Sequence, residues 1–170
     1  MNNFKEIVPD LIKKNIFQSI GKDWMLITAS DGEKTNTMTA SWGGLGVMYG
    51  KNVAFVVVRP QRYTLEFIDK AENFSLCFLD KSYRKVLNYL GTVSGRTEDK
   101  IEKSGLTLVQ EEDAPYFGEA KQVFICRKLL RQPLEEGSLL VEKLDSTFYP
   151  NKDYHILYIA EITKSLKATR

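Results

Sequence analysis

Two polar clusters flank a strand-like run at residues 52–58, and together they carry what a phosphate site needs. The first is Asn36-Thr37-Met38-Thr39-Ala40-Ser41-Trp42-Gly43-Gly44 and the second is Arg59-Pro60-Gln61-Arg62-Tyr63-Thr64. They offer hydroxyl donors, backbone N–H groups beside small residues and, in the second cluster, two guanidinium groups. A phosphate dianion is held by several converging donors, and backbone amides contribute them without side-chain entropy. Arg suits the role because its planar fork donates two hydrogen bonds at once. Trp42, Gly43 and Gly44 can border a flat ring system. The chemistry points to a phosphorylated ligand of moderate size. The competing readings are structural: a Thr-rich edge strand ending in a glycine turn, and a Pro-containing strand-to-helix turn with solvated arginines.

Elements of both kinds must position these clusters. Residues 10–20 place Leu11, Ile12, Ile16, Phe17 and Ile20 at helical spacing, with Gly21 as the C-cap. Residues 24–29 read as a strand closed by an Asp31-Gly32 turn, 37–42 as a Thr-rich strand, and 53–58 as a buried strand with three successive valines. Residues 63–71 read as a short helix and 74–79 as another buried strand. A helix begins at Ser82, puts Val86, Leu87 and Leu90 on one face and stops near Gly91. Residues 97–103 form a short charged helix capped by Thr97 and ended by Gly105, its Glu98, Asp99, Lys100 and Glu102 making a solvated face. Residues 106–109, 122–130 and 153–162 read as strands, while 133–144 is open between strand end, turn and helix. Strands dominate and do not alternate one-for-one with full-length helices, so a doubly wound sheet is disfavoured. Neither GxGxxG nor GxxxxGK[ST] occurs. The pattern fits a mainly β protein with peripheral helices, built as an antiparallel barrel.

Composition narrows the function classes. A chain of 170 residues falls in the ~100–200-residue range of one domain, and no linker or repeat divides residues 1–170. A net charge of +2 with scattered basic residues gives no stripe for nucleic acid. No apolar run approaches the ~20 residues of a membrane span, and the first ten residues lack a signal-peptide pattern, so a cytoplasmic protein with no membrane partner is expected. Cys77 and Cys126, each inside an apolar run, read as small core hydrophobes rather than a disulfide or redox pair. One histidine and no clustered ligands argue against a metal.

Four segments in order resemble the flavin reductase-like, FMN-binding split-barrel proteins: the residues 36–43, 59–64, Ser94-Gly95-Arg96-Thr97-Glu98-Asp99-Lys100, and Asp153-Tyr154-His155-Ile156-Leu157-Tyr158-Ile159-Ala160-Glu161-Ile162. The resemblance implies a Greek-key split β-barrel and a homodimer with FMN at its interface. Members reduce flavins with NADH or NADPH, or act as flavoredoxin-type carriers serving a redox protein partner. On this pattern Thr39, Ala40 and Ser41 would give donors to FMN, Asn36 and Met38 would line its ribityl chain or ring, and Trp42 would border the ring. Arg62 and Thr64 would take the phosphate, with Arg59 and Arg96 as further contacts. His155 would be the catalytic candidate, donating to the ring or orienting the hydride donor; alone it reads equally as a strand histidine with a satisfied hydrogen bond. Ala160 stands where many relatives have Gly. The expected function is an NAD(P)H-dependent flavin reductase, with an FMN electron carrier, or a non-redox binder of another phosphorylated aromatic such as a pyridoxal-type ligand or a haem-like ring, as alternatives.

Overall fold

The computed structural model describes residues 3–169. Turn chemistry sets two hairpins. β2 (Met25–Ser30) pairs with β3 (Thr35–Ala40) from Met25 opposite Ala40 to Ser30 opposite Thr35. Between them Asp31 Oδ1 accepts from the amides of Glu33 and Lys34, and Gly32 takes φ +96°. β4 (Gly43–Met48) pairs with β5 (Lys51–Val58) through a two-residue turn in which Tyr49 and Gly50 both have positive φ, 56° and 67°. That geometry matches the right-handed twist of the flanking strands.

β6 (Asn73–Phe78), β9 (Gln122–Pro133) and β10 (Ile156–Ala168) join the hairpins into one antiparallel sheet in the order β3-β2-β6-β9-β10-β5-β4. β10 is the shared strand. One edge pairs with β9 along most of its length; the other pairs with β5 and then with β1 (Phe4–Glu6). β3 and β4 lie at opposite ends of this path, yet only Ser41 and Trp42 separate them. Three Cα steps, from Ala40 to Gly43, reach about 10–11 Å at most. The sheet must therefore curl until its two ends nearly meet, leaving a seam between β3 and β4 that no ladder closes. This is a mainly β, split-barrel fold with peripheral helices.

Both faces of the central strands are buried. Met25, Ile27 and Ala29 of β2 join an inner cluster with Val56, Val58, Phe74, Phe124 and Tyr158, which α2 (Thr64–Lys70) plugs with Leu65, Phe67 and Ile68. Leu26, Cys77, Val123 and Ile125 face the other way. There α3 (Arg84–Thr92) covers them with Leu87 and Leu90, beside the small ladder of β7 (Leu108–Val109) and β8 (Tyr116–Phe117). Cys77 and Cys126 are both buried and free, and burial raises their thiol pKa values, so neither is poised as a nucleophile.

Several local expectations change. The single helix expected over 10–20 is broken into a 3₁₀ turn (Pro9–Leu11), a short α1 (Ile16–Gln18) and a π-turn (Ser19–Asp23). Asn15, extended at φ −65°, ψ 114°, caps Gln18 N with its own side chain and so starts a new helix. Gly21 sits inside the π-turn, and Trp24, at φ 71°, ends it. The charged helix is α4 (Lys100–Ser104), capped by Asp99 rather than Thr97, because Asp99 Oδ1 accepts from Glu102 N while Thr97 Oγ1 donates back to Ser94 O. Lys100 is buried rather than on a solvated face. The open segment resolves into a 3₁₀ turn (Glu136–Ser138) and α5 (Glu142–Phe148). Ala160 lies mid-strand between Ala54 and Lys128.

The seam makes a sharp demand on Gly43. Its φ is +142°, and a Cβ there would stand 2.4 Å from Phe55 O. Gly43→Ala should destabilise the fold by about 1–3 kcal/mol in urea denaturation, whereas Gly44→Ala, whose added Cβ would meet only Phe55 Cδ2 at 3.9 Å, should change little.

Candidate functional site

The seam opens into a cavity. Met38, Thr39, Ala40, Ser41 and Trp42 form one wall, running off the end of the edge strand β3. Val57, Arg59, Arg62 and His155 form the other, and the enclosed space is about 310 Å³. Because β3 is an edge, the backbone groups on its outer side lack ladder partners and are available to a ligand. A second, more apolar hollow of about 770 Å³ continues past Ser41 and Trp42 over Gly43, Gly44 and Leu45, and is bordered by Ile16, Phe17 and Ile20.

The two arginines differ in their commitments. A turn closed by Arg62 N donating to Arg59 O, with Pro60 at its second position, carries both. Arg59 is tied down: its Nη1 pairs with Asp153 Oδ2 at 2.5 Å and its Nη2 donates to Phe148 O at 2.8 Å. Gln61 Nε2 donates to the same Asp153 oxygen at 2.7 Å. Arg62 has no carboxylate partner among the described residues. Its Nη1 donates to Gly91 O at 2.8 Å, at the C-terminal end of α3, and burial lowers its pKa below the usual arginine value. A guanidinium stays charged regardless. The cavity therefore holds one half-buried cation without a counter-charge.

Lys100 reinforces this arrangement from behind. It is buried and donates to Leu90 O at 2.8 Å and Val93 O at 2.9 Å. Burial, and then the neighbouring Arg62 charge, lower its pKa to about 8. Gly91 brings α3 against β3: a Cβ there would come within 3.1 Å of Thr39 Cβ. Thr39 Oγ1 donates to Leu87 O on the same helix, so its hydroxyl is spent on packing and its backbone remains the ligand-facing part.

His155 sits just before β10, buried, with its ring 5.1 Å from that of Trp42. Its Nδ1 is 2.8 Å from the Tyr149 hydroxyl. Burial, with the Arg59 charge adding to it and Asp153 opposing it, lowers its pKa to about 4. Trp42, 42% exposed, is wedged edge-on against Phe148 at 5.2 Å.

Of the residues singled out in the sequence, Met38, Thr39, Ala40, Ser41, Trp42, Arg59, Arg62 and His155 line one cavity. Three lie elsewhere. Asn36 Nδ2 donates to Thr64 Oγ1 at 3.0 Å, and both side chains are buried in that bond beneath the sheet edge. Arg96 pairs with Glu66, donates to Gln61 O and stacks over Tyr63, facing a different, polar hollow together with Asn36. The sequence did not single out Val57, Phe148, Tyr149 or the anchoring role of Asp153. Phe148 and Tyr149 lie between the open segment at 133–144 and the strand read over 153–162, in a stretch to which no element was assigned.

A family model for the flavin reductase like domain matches residues 17–166, and the chain belongs to that family. The fold is similar to the FMN-binding domain of a flavin reductases-like enzyme from Shewanella baltica OS155 (TM-score 0.71, 17% identity, 99% of this chain and 78% of that one). It is also similar to the flavoredoxin of Desulfovibrio vulgaris (Miyazaki F) (TM-score 0.68, 23% identity, 96% and 78%). A third such structure is an NADH:FAD oxidoreductase of Streptomyces globisporus (TM-score 0.63, 14% identity, 85% and 75%). An uncharacterised protein of Archaeoglobus fulgidus is 28% identical over 114 residues, 66% of this chain. The match spans 64% of that curated relative's length. No helix among the described residues is long and apolar enough to cross a membrane.

The histidine carries a pH signature. An unfolded histidine takes up its proton near pH 6.5 and the buried one only near 4. Between these values the unfolded chain binds more protons, so stability should fall as pH falls through the window. Urea denaturation from pH 7 to 4 should show a steeper loss for the wild type than for His155→Gln, whose profile lacks this contribution.

Proposed function

We propose that residues 1–170 form one domain that binds FMN in the seam cavity and acts as an NAD(P)H-dependent flavin reductase. The observation that carries this reading is Arg62, a half-buried guanidinium without a carboxylate, facing a wall of main chain and small side chains. That donor set fits a phosphate: a fork for two oxygens, and the backbone of residues 39–41 for the rest. Ser41, whose side chain makes no hydrogen bond among the described residues, adds a hydroxyl. The apolar hollow over Gly43 and Gly44, with Trp42 at its border, has the volume and polarity for a flat ring. Asn36, Thr64 and Arg96 would then support the walls rather than touch the ligand.

Bound FMN supplies a ring that accepts a hydride and passes electrons on. The chain's own residues hold and shield it. Arg62 neutralises phosphate charge, Arg59 and Asp153 brace the turn that presents Arg62, and Trp42 and Phe148 exclude water from one end. His155 is a neutral hydrogen-bond donor or acceptor at neutral pH, not a cation. No acid–base pair lines the cavity, which suits hydride transfer, a step that needs none. A carrier reduced by a protein partner is the second reading, favoured by the likeness to flavoredoxins at 23% identity.

A second copy of the chain would complete the site. The free edge of β4 and the exposed Phe17, Trp42 and Val47, at 89%, 42% and 74%, form an apolar flank beside the ring hollow. A dimer is expected by light scattering at micromolar concentration, and a monomer would remove the interface from the account.

Arg62→Ala should weaken FMN binding by about 10- to 100-fold, corresponding to about 1.5–3 kcal/mol for hydrogen bonds to a charged group, read by fluorescence titration. Unchanged affinity would take the phosphate away from Arg62. Anaerobic addition of NADH and NADPH to the flavin-loaded protein separates the two readings: bleaching by either nucleotide supports the reductase, and bands that persist with both support the carrier.

A further inference from the structure

We propose that Tyr149 is a positioning residue that fixes His155 as the Nε2–H tautomer, so that the cavity presents a neutral N–H donor to a carbonyl oxygen of a planar ring ligand. The inference rests on the flavin reading for the ligand's class, and on geometry alone for the tautomer.

The tautomer follows from accounting for each polar atom. The Tyr149 hydroxyl is buried, and its one hydrogen-bond partner among the described residues is His155 Nδ1, at 2.8 Å. A buried donor left without an acceptor costs about 1–3 kcal/mol. If Nδ1 carried the proton, it would donate to the tyrosine oxygen, and the tyrosine O–H would point at nothing. With the tyrosine donating to Nδ1, both atoms of that contact are satisfied and the ring proton sits on Nε2. That nitrogen has no protein partner among the described residues, while its ring lines the cavity.

The surroundings keep the ring neutral. Arg59 faces it from the turn after β5, and its guanidinium also lies 5.2 Å from the centre of the Tyr149 ring. Asp153, two residues back on its own segment, is engaged by Arg59 and Gln61. Trp42 lies against the ring without charge, with Phe148 packed on Trp42, and Arg62 lines the same cavity. Two cations and one neutralised carboxylate disfavour an imidazolium. A neutral N–H selects an acceptor such as a ring carbonyl and, unlike a cation, does not compete with Arg62 for the phosphate. This division would give the ligand one orientation: phosphate at the Arg62 end, carbonyl edge at the His155 end.

His155 is the one histidine of the chain, so its imidazole nitrogens are unambiguous in long-range ¹H–¹⁵N NMR spectra. The purified protein, free of flavin, should show a single neutral Nε2–H tautomer from pH 8 to 5. In Tyr149→Phe, Nδ1 loses its donor, the tautomers should mix and the titration should move up in pH. An Nδ1–H tautomer in the wild type, which needs no variant to detect, would overturn the proposal. So would a Tyr149→Phe spectrum identical to it. Adding FMN should shift the Nε2 resonance. Flavin that binds without shifting it would overturn the donor role and leave the proposed function intact. A correct tautomer in a protein that does not bind FMN would sustain Tyr149 as the positioning residue and overturn the proposed function instead.

Discussion

The C-terminal end of α3 collects two cations, the buried Lys100 and the half-buried Arg62, and the candidate site depends on how it does so. A helix end exposes carbonyls without intrahelical partners and carries a partial negative charge. Here Leu90 O and Val93 O accept from Lys100, and Gly91 O accepts from Arg62. Each hydrogen bond from a charged donor contributes about 1.5–3 kcal/mol, enough to hold two like charges close together without an acid between them. Burial, and after it repulsion from Arg62, bring the lysine pKa down to about 8. The arginine cannot lose its proton, so its charge remains for something in the cavity to meet.

The same helix end sets the cavity's shape. Gly91 lets α3 lie against Thr39, and the Thr39 hydroxyl bonds to Leu87 O. The wall at residues 38–42 is thus clamped from outside the barrel while its inner residues pack in the core. On the far wall Asp153 fixes Arg59, and Tyr149 fixes His155. The seam between β3 and β4 leaves unpaired backbone at the point where these clamped side chains converge. A rigid scaffold with one open edge is what a site needs when its ligand brings the reactive chemistry and the protein brings orientation.

Much of the barrel was legible in the sequence because its strands announce themselves through composition. Val53, Val56 and Val58 mark β5, and Phe74, Leu76 and Phe78 mark β6, both close to their observed bounds. β4 was not legible: Gly43, Gly44 and Gly46 suppress strand propensity, and its pairing depends on the tight turn and the twist of β5. The 10–20 helix failed because apolar spacing says nothing of Asn15, whose local cap outweighs the periodicity. Lys100 read as a surface charge because its burial depends on the carbonyls of Leu90 and Val93, 10 and 7 positions back, which only the packing of α4 on α3 brings to it. At the site, the cluster at 38–42 and Arg62 were visible as donor types. The separate duties of Arg59, Thr64 and Arg96 were not, since partners 94, 28 and 30 positions apart decide them.

The proposed site is tested most directly by which segments added FMN touches. Amide hydrogen exchange, compared with and without FMN, reads this along the whole backbone, since a bound ligand slows opening of the segments it touches. Protection is expected at residues 38–42, across the 59–62 turn and near His155, with little change around Arg96. Protection centred on the hollow beside Arg96 and Asn36, or none at the β3–β4 seam, would contradict it.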